Sequence, residues 1–416
     1  MSYALGLKPW MTKPATKAVL EALIAKGGPG CVRFVGGCVR NAILNRKIDD
    51  IDLATTLTPP LVVEALEAAG LKAIPTGIEH GTVTALSDGQ TFEITTLRKD
   101  VQTDGRHAVV VFTDDWAEDA ARRDFTMNAL YADASGTVFD PSGTGVEDAR
   151  AGRLVFVGDP KTRIDEDYLR ILRYFRFLAW YGKGEPDRDA LAACEAGRAR
   201  LADCSAERVA KEMLKLLAAD DPRPALRLMA STGVLAQVLP QAEGLAVLDR
   251  LVAIEDEQLF ENEPLLRLAA LLPADPAAGE ALGRALRLSN AERERLAACL
   301  GTEPRLVSWM SPKAARQAVY RLGNSVFRDR VKLHWARSLR PATTPQWRGL
   351  LALGESWRAP IMPISGKDAV ASGVPAGPLV GEVLREVEDW WVDSDFIDDK
   401  LSLVERLKAV AQGLAF

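Results

Sequence analysis

At 416 residues the chain exceeds one ordinary hydrophobic core, so two to four domains are expected. Hydrophobic residues make up 48% and charged residues 26%, which excludes a disordered chain, and no apolar stretch approaches the roughly 18 residues of a membrane span. Five scattered cysteines (Cys31, Cys38, Cys194, Cys204, Cys299) and three distant histidines (His80, His107, His334) exclude a disulfide scaffold or zinc finger, and a cytoplasmic location is expected. The net charge of −5 argues against a nucleic-acid binder unless the positive charge is concentrated locally.

Residues 31–140 read as strands alternating with helices. Val32–Val35 is a short apolar strand running into Gly36-Gly37, and Val39–Leu44 then reads as a helix. Such a turn lets backbone approach a phosphate closely, and Arg40 adds charge to the cradle. Next comes Asp49-Asp50-Ile51-Asp52-Leu53-Ala54-Thr55, with a strand over Ile51–Ala54. Residues i and i+2 of a strand point the same way, so Asp50 and Asp52 project side by side. Two such carboxylates repel unless a cation neutralises them, and oxygen ligands suit Mg²⁺. Paired carboxylates can hold the two ions of an in-line phosphoryl displacement, about 3.5–4 Å apart. An exposed acidic turn is the alternative reading.

Strands follow at Thr82–Leu86 and Phe92–Leu97. Alternation puts Glu93 on the face opposite Phe92 and Ile94, as a third carboxylate beside the metals, a base for the primer hydroxyl, or a solvated side chain. Lys99–Trp116, with Asp104-Gly105-Arg106, reads as a mobile loop. Arg122-Arg123 then precedes a buried-looking helix start at Asp124–Ala129. Adjacent guanidinium forks match phosphate oxygens, although a surface pair capping a helix has the same appearance.

From Arg163 the pattern becomes helical and rich in Ala, Leu and Arg. Arg163–Arg173 reads as one helix, with Tyr168, Ile171, Leu172 and Phe175 on its apolar stripe. Asp167 and Arg170, three apart, fall on the polar side as neighbours. A carboxylate beside a guanidinium complements the amino donor and ring acceptor shared by cytosine and adenine, whereas uracil and guanine present a carbonyl there. An exposed salt-bridge ladder is the alternative. Breaks are expected at Asp220-Asp221-Pro222 and around Pro273–Pro276. Between Arg305 and Arg358 eleven Lys and Arg face only Asp329 and Glu355, interleaved with Trp309, Tyr320, Phe327, Trp335, Trp347 and Trp357. That stretch is an RNA-facing surface or an ordinary solvated helical face.

Taken together, GGCVRNAIL, DDIDLATTLTP, FEITTLRKD, the run from TDGRHAVV to RRDFTMNAL, FDPSGTGVEDARAG and RIDEDYLRILRYFRF resemble the class II CCA-adding enzymes. These form the tRNA nucleotidyltransferase and poly(A) polymerase family of the DNA polymerase β-like superfamily. The resemblance spans roughly residues 31–180. It implies an α/β nucleotidyltransferase head (1–155), then an all-α neck for nucleotide selection (156–220), body (221–302) and tRNA-binding tail (303–416). It implies addition of C, C and A to the 3′ end of tRNA from CTP and ATP, with two Mg²⁺ ions. Asp50, Asp52 and Glu93 would be catalytic, and Asp50 and Asp52 the metal ligands. Nucleotide binding would fall to Gly36, Gly37, Arg40, Arg122, Arg123, Asp124, Asn128, Glu166, Asp167, Arg170, Arg173 and Arg176. Ser205–Glu212 is similar to a later neck motif that braces the nucleotide helix, and Ser365–Asp368 with Gly377–Gly381 to a tail motif. Asn41 departs from the family's usual Asp after Val-Arg. A poly(A) polymerase is the rival within the family, but Thr76–Val83 has the CCA-adding form. A CC-only or A-only enzyme and an inactive RNA-binding scaffold are the remaining alternatives.

Overall fold

The computed structural model describes residues 3–103, 108–338 and 343–413, which divide into two compact units, Met1–Pro240 and Gln241–Phe416. The first unit opens with ten strands: β1 (Tyr3–Ala4), β2 (Val32–Val35), β3 (Ile51–Thr55), β4 (Lys72–Gly77), β5 (Thr82–Ser87), β6 (Gln90–Thr96), β7 (Arg98–Thr103), β8 (Ala108–Phe112), β9 (Tyr131–Ala132) and β10 (Thr137–Phe139). Eight of them form one sheet in the order β1-β10-β9-β2-β3-β6-β5-β4, and β7 pairs only with β8. The β3–β6 pair is parallel and every other neighbour antiparallel.

Strand alternation sorts the two faces of this sheet. Phe34, Leu53, Val83, Ala85, Phe92 and Ile94 point to one side, in a core closed by Leu23 of helix Pro14–Gly27 and Leu66 of helix Pro59–Ala68. Val35, Ala54, Ala129 and Tyr131 point to the other side, around Leu97, Ala120 and half-buried Trp116. Asp52, two residues before Ala54, therefore lies on the face that the two helices leave open.

Two expectations are corrected here. Lys99–Trp116 is not a loop where it is described: β7 and β8 pair from Arg98↔Phe112 to Thr103↔Ala108, and the run Val109–Phe112 has the β-branched composition that favours a strand. Asp104, Gly105, Arg106 and His107 lie outside the described residues. Arg163–Arg173 is not one helix either. Helix Pro160–Glu166 stops at Asp167, whose backbone is extended (φ −154°, ψ 103°), and a second helix spans Leu169–Tyr181. Asp disfavours helix interiors because its side chain competes for backbone groups. Here Asp167 Oδ1 accepts from the Leu169 N–H at 3.1 Å and its carbonyl from the Arg170 N–H at 2.9 Å, so the residue starts the new helix.

The Leu169–Tyr181 helix buries Leu169, Ile171, Leu172, Tyr174, Phe175 and Phe177, a wider stripe than the period suggested, while Tyr168 at its cap is only half-buried. It packs against helices Ala206–Leu217 and Arg223–Ser231. Phe125, Phe156, Tyr174 and Phe177 form one aromatic cluster, with Phe125–Phe156 at 4.8 Å and Phe125–Phe177 at 5.3 Å, which attaches this helix to the strand-bearing part.

The second unit is helical throughout its described residues, from Leu245–Gln258 to Lys400–Gly413. Its interior holds two nearly inaccessible arginines. Arg267 pairs with Glu255 at 2.8 Å, and Arg330 donates to the carbonyls of Glu303 and Pro304 at 2.8 and 3.0 Å. Trp335 and Trp347 are also core residues. The basic segment is thus partly interior, and among the described residues Arg305, Lys313, Arg321, Arg348 and Arg358 are its exposed cations. No helix among the described residues is long and apolar enough to cross a membrane.

Candidate active site

Three acids converge on the open face of the sheet. In the parallel β3–β6 pair Asp52 stands directly beside Glu93, and Asp50 lies just before β3 begins. Burial, then the charges of Glu93 and Asp50, push the Asp52 carboxyl up to about 6, against the opposing pull of Arg123. Glu93 and Asp50 are exposed, so water reaches the cluster from one side. No three acidic, His or Cys side chains among the described residues form a closed metal cage. The mutual repulsion fits a divalent cation, which would neutralise it.

Beside the acids, Gly36 has φ +67°, a conformation that L side chains rarely adopt, and turns β2 into helix Gly37–Ile43. A Cβ on Gly36 would lie 3.7 Å from the guanidinium of Arg123, so the turn and the arginine are in contact range. Arg40, nearly buried, donates to Oδ1 of Asn128 and to Tyr181 Oη at 2.7 Å.

Asp119, which is 1% exposed, organises the two adjacent arginines. It accepts from Arg122 (2.9 and 2.6 Å), Arg123 (3.2 and 2.9 Å), the Tyr131 hydroxyl (2.6 Å) and the Arg98 backbone N–H (3.3 Å). Burial alone would raise its carboxyl, but the charges of Arg123 and Arg122 and the Tyr131 hydroxyl hold it at about 2. The residue escaped the sequence reading, although its spacing of three and four from Arg122 and Arg123 on helix Trp116–Ala121 was a visible signal. Its neighbour Glu118 holds both roots of the hairpin, accepting from Lys99 at 3.0 Å and Thr113 at 2.5 Å.

Asp124 and Asn128 sit behind the cations. The buried Asp124 carboxylate accepts from Arg173, from Asn128 Nδ2 at 3.0 Å and from the Phe125 N–H at 2.8 Å. Glu166 lies between Arg163 and Arg170, the latter at 2.7 Å. The expected Asp167–Arg170 pair is replaced. With the helix broken between them, Asp167 pairs with Arg208 at 2.7 Å, while Arg170 also donates to the carbonyls of Arg163 and Arg122. Arg208 belongs to the Ser205–Glu212 segment, and Glu212 from the same helix takes Arg176 at 3.1 Å.

Between these groups lies a cavity of about 550 Å³, lined by Arg98, Arg122, Arg123, Asp124, Asp167, Leu169, Arg170, Arg173, Arg176, Arg208, Lys211, Glu212 and Lys215. Nine of these are cations and three are acids. The excess suits a polyphosphate, and Asp167 offers an acceptor at the same wall.

The family profile described as "Poly A polymerase head domain" matches residues 32–155, and "Probable RNA and SrmB- binding site of polymerase A" matches 185–245. The mouse protein named CCA tRNA nucleotidyltransferase 1, mitochondrial, is 33% identical over 384 residues, which span 91% of this chain and 86% of the relative. The chain belongs to the CCA-adding enzymes. A member from Latilactobacillus sakei is 30% identical over 375 residues, 89% of this chain and 91% of its own. The crystal structure of the Bacillus stearothermophilus CCA-adding enzyme in complex with CTP superposes with a TM-score of 0.76 at 28% identity, covering 97% of this chain and 100% of that one. In this chain the open sheet face with its acids and the cation-lined cavity occupy a single compact unit, Met1–Pro240.

Proposed function

We propose that the chain adds C, C and A to the 3′ end of tRNA from CTP and ATP, releasing pyrophosphate at each step. The observation that carries the reading is the Asp52–Glu93 register beside Arg123, at the edge of a cavity with nine cations. Asp50 and Asp52 would hold two Mg²⁺ ions, which supply an activated primer hydroxyl and charge neutralisation for the leaving pyrophosphate. Arg123, Arg40, Arg173 and Arg176 hold the triphosphate, with the Gly36-Gly37 turn allowing close backbone approach. Asp124 and Asn128 act through Arg173 and Arg40, and Asp119 through Arg122 and Arg123. Glu93 completes the acidic cluster.

Asp167 accepts from the amino group that cytosine and adenine share, and Arg170 donates to the adjacent ring acceptor. Arg208 holds Asp167 in place, and Glu166 does the same for Arg170. A uracil or guanine carbonyl facing Asp167 leaves two acceptors opposed, which a buried polar site rejects strongly. Residues 1–155 are the head, 156–220 the neck, 221–302 the body and 303–416 the tail, where exposed Arg305, Lys313, Arg348 and Arg358 meet tRNA phosphates. The five cysteines are free thiols. They suit a reducing compartment such as the cytoplasm, while the mouse relative's name refers to mitochondria.

The deciding experiment supplies tRNA lacking its 3′ end with Mg²⁺ and CTP, ATP or both, then sequences the product ends. Defined CCA ends are expected. Long A tails would overturn the reading in favour of a poly(A) polymerase.

A further inference from the structure

A second cavity of about 700 Å³ lies in the first unit beside the nucleotide cavity, with Arg176 and Lys215 lining both. Apart from Arg40 and Arg176, the roles assigned above make no use of its walls. One side is the loop bearing Arg46, Lys47 and Asp49, and the other is the C-terminal end of helix Leu169–Tyr181, with Phe177, Trp180 and Tyr181.

The aromatic side is rigid. Phe177 and Tyr181 stack at 5.7 Å, Trp180 lies 6.5 Å from Tyr181, and its indole N–H donates to the Lys215 carbonyl at 2.7 Å. The guanidinium groups of Arg40 and Arg46 lie 4.1 and 4.8 Å from the Tyr181 ring centre. Arg46 is exposed, with no carboxylate partner among the described residues. Trp180 leaves a π-surface for a base, and the exposed Arg46 guanidinium, resting over Tyr181, is within reach of a phosphate, which together suit a single unpaired nucleotide.

Asn41, the departure noted in the sequence, stands in the same wall. Its Oδ1 accepts from Arg40 (3.2 and 2.9 Å) and from the Tyr181 hydroxyl (3.2 Å), and its Nδ2 donates to the Lys47 carbonyl at 2.8 Å. An Asp here would neutralise Arg40 and could not make the last bond. Asn thus leaves the cavity more cationic and pins the 45–50 loop, which runs directly into Asp50. Asp49, in the cavity wall, immediately precedes Asp50 of the acidic cluster. In-line transfer needs the attacking hydroxyl opposite the departing pyrophosphate, so the strand end arrives from the side away from that leaving group.

We propose that this second cavity seats the unpaired nucleotide at the 3′ end of the RNA being extended, its base against Trp180 and its phosphate against Arg46. The inference rests on the reading that the chain extends RNA 3′ ends. Two experiments on the full chain test it. In the first, a tRNA lacking only its terminal A is varied at saturating ATP, and ATP is then varied at saturating RNA, for Trp180→Leu, Trp180→Phe and Arg46→Gln. Trp180→Leu should raise the RNA KM roughly tenfold with the ATP KM within twofold, and Trp180→Phe should restore most of it. Arg46→Gln should act in the same direction, with a salt dependence shallower by about one phosphate contact. An equal rise in the ATP KM, or no change in either, would overturn the proposal. The second experiment needs no turnover: RNA ending in 5-iodocytidine is photo-crosslinked to the wild-type chain. Adducts on Trp180 are expected, and adducts only elsewhere overturn the proposal. If the wild type extends no RNA at all, the proposed function fails, whereas the crosslink still reads the cavity by itself.

Discussion

Asp119→Asn keeps the shape of the side chain and removes one charge from between two arginines. The wild-type carboxyl is held at about 2 against an ordinary 3.8. That difference corresponds to about 2–3 kcal/mol of stability at neutral pH, in line with the loss of charge-assisted bonds from a buried acceptor. Because the folded value is the lower one, this stability is fully present above pH of about 4 and vanishes as pH falls toward about 2. Urea unfolding should therefore show the variant about 2–3 kcal/mol less stable at pH 7, with the gap closing as the acid range is entered. Arg122 and Arg123 lose their common anchor, so the KM for CTP should rise about tenfold, equivalent to about 1.4 kcal/mol. An unchanged urea midpoint at pH 7, or a gap that stays constant down to pH of about 2.5, would refute the account of Asp119 as the organiser of the arginine pair.

Asp50→Ala and Asp52→Ala should abolish nucleotide addition with tRNA affinity nearly unchanged, and near-normal turnover in both would sink the metal assignment. In chelator-treated buffer Asp52→Asn should be about 1–3 kcal/mol more stable than wild type, since one of three converging negative charges is gone. Added Mg²⁺ should then raise the melting temperature of the wild type alone, and an equal rise in the variant would contradict the site. Asp167→Ala should relax discrimination against UTP and GTP, and Arg208→Ala should do so more weakly. Variants that lose rate yet still incorporate only C and A would make the pair structural. Replacing Arg305, Lys313, Arg348 and Arg358 together by Ala should weaken tRNA binding and flatten its salt dependence by about 0.7–0.9 in slope per lost phosphate contact. Unchanged affinity would remove the tail from the binding surface.

Much of the first unit was readable because short-range patterns dictate it. Val32–Val35 was delimited correctly, and β3, β5 and β6 within a residue or two, since alternation and flanking Gly mark them. Lys72–Gly77 carries no such mark: Pro75 removes a ladder donor, which is tolerated here since β4 is the outermost strand of the sheet. The acids were legible as i and i+2 residues. Their third member depended on the parallel β3–β6 register, which no local pattern specifies. The Asp167 pairing failed for a similar reason. Helical spacing pointed to Arg170, whereas the actual partner, Arg208, is 41 positions away and becomes a neighbour only when two helices pack. The basic segment misled in another way, because composition does not separate an arginine that faces water from one, like Arg330, satisfied inside by two carbonyls.

The Leu169–Tyr181 helix is fastened to the strand-bearing part at three heights: Arg170 to the Arg122 carbonyl, Arg173 to Asp124, and Tyr181 to Arg40. Its 13 residues make a rod of about 20 Å whose ends cannot shift independently. Under the proposed function, the spacing between the wall that would meet the base and the cations that would hold the phosphates is therefore a fixed gauge, set by the helix and not by the ligand. A pyrimidine and a purine differ in width, and that difference cannot be taken up by lengthening the gauge. On the proposed reading it would fall where the rod has already ended, on the extended backbone of Asp167 and the long, half-exposed side chain of Arg208 that steadies it.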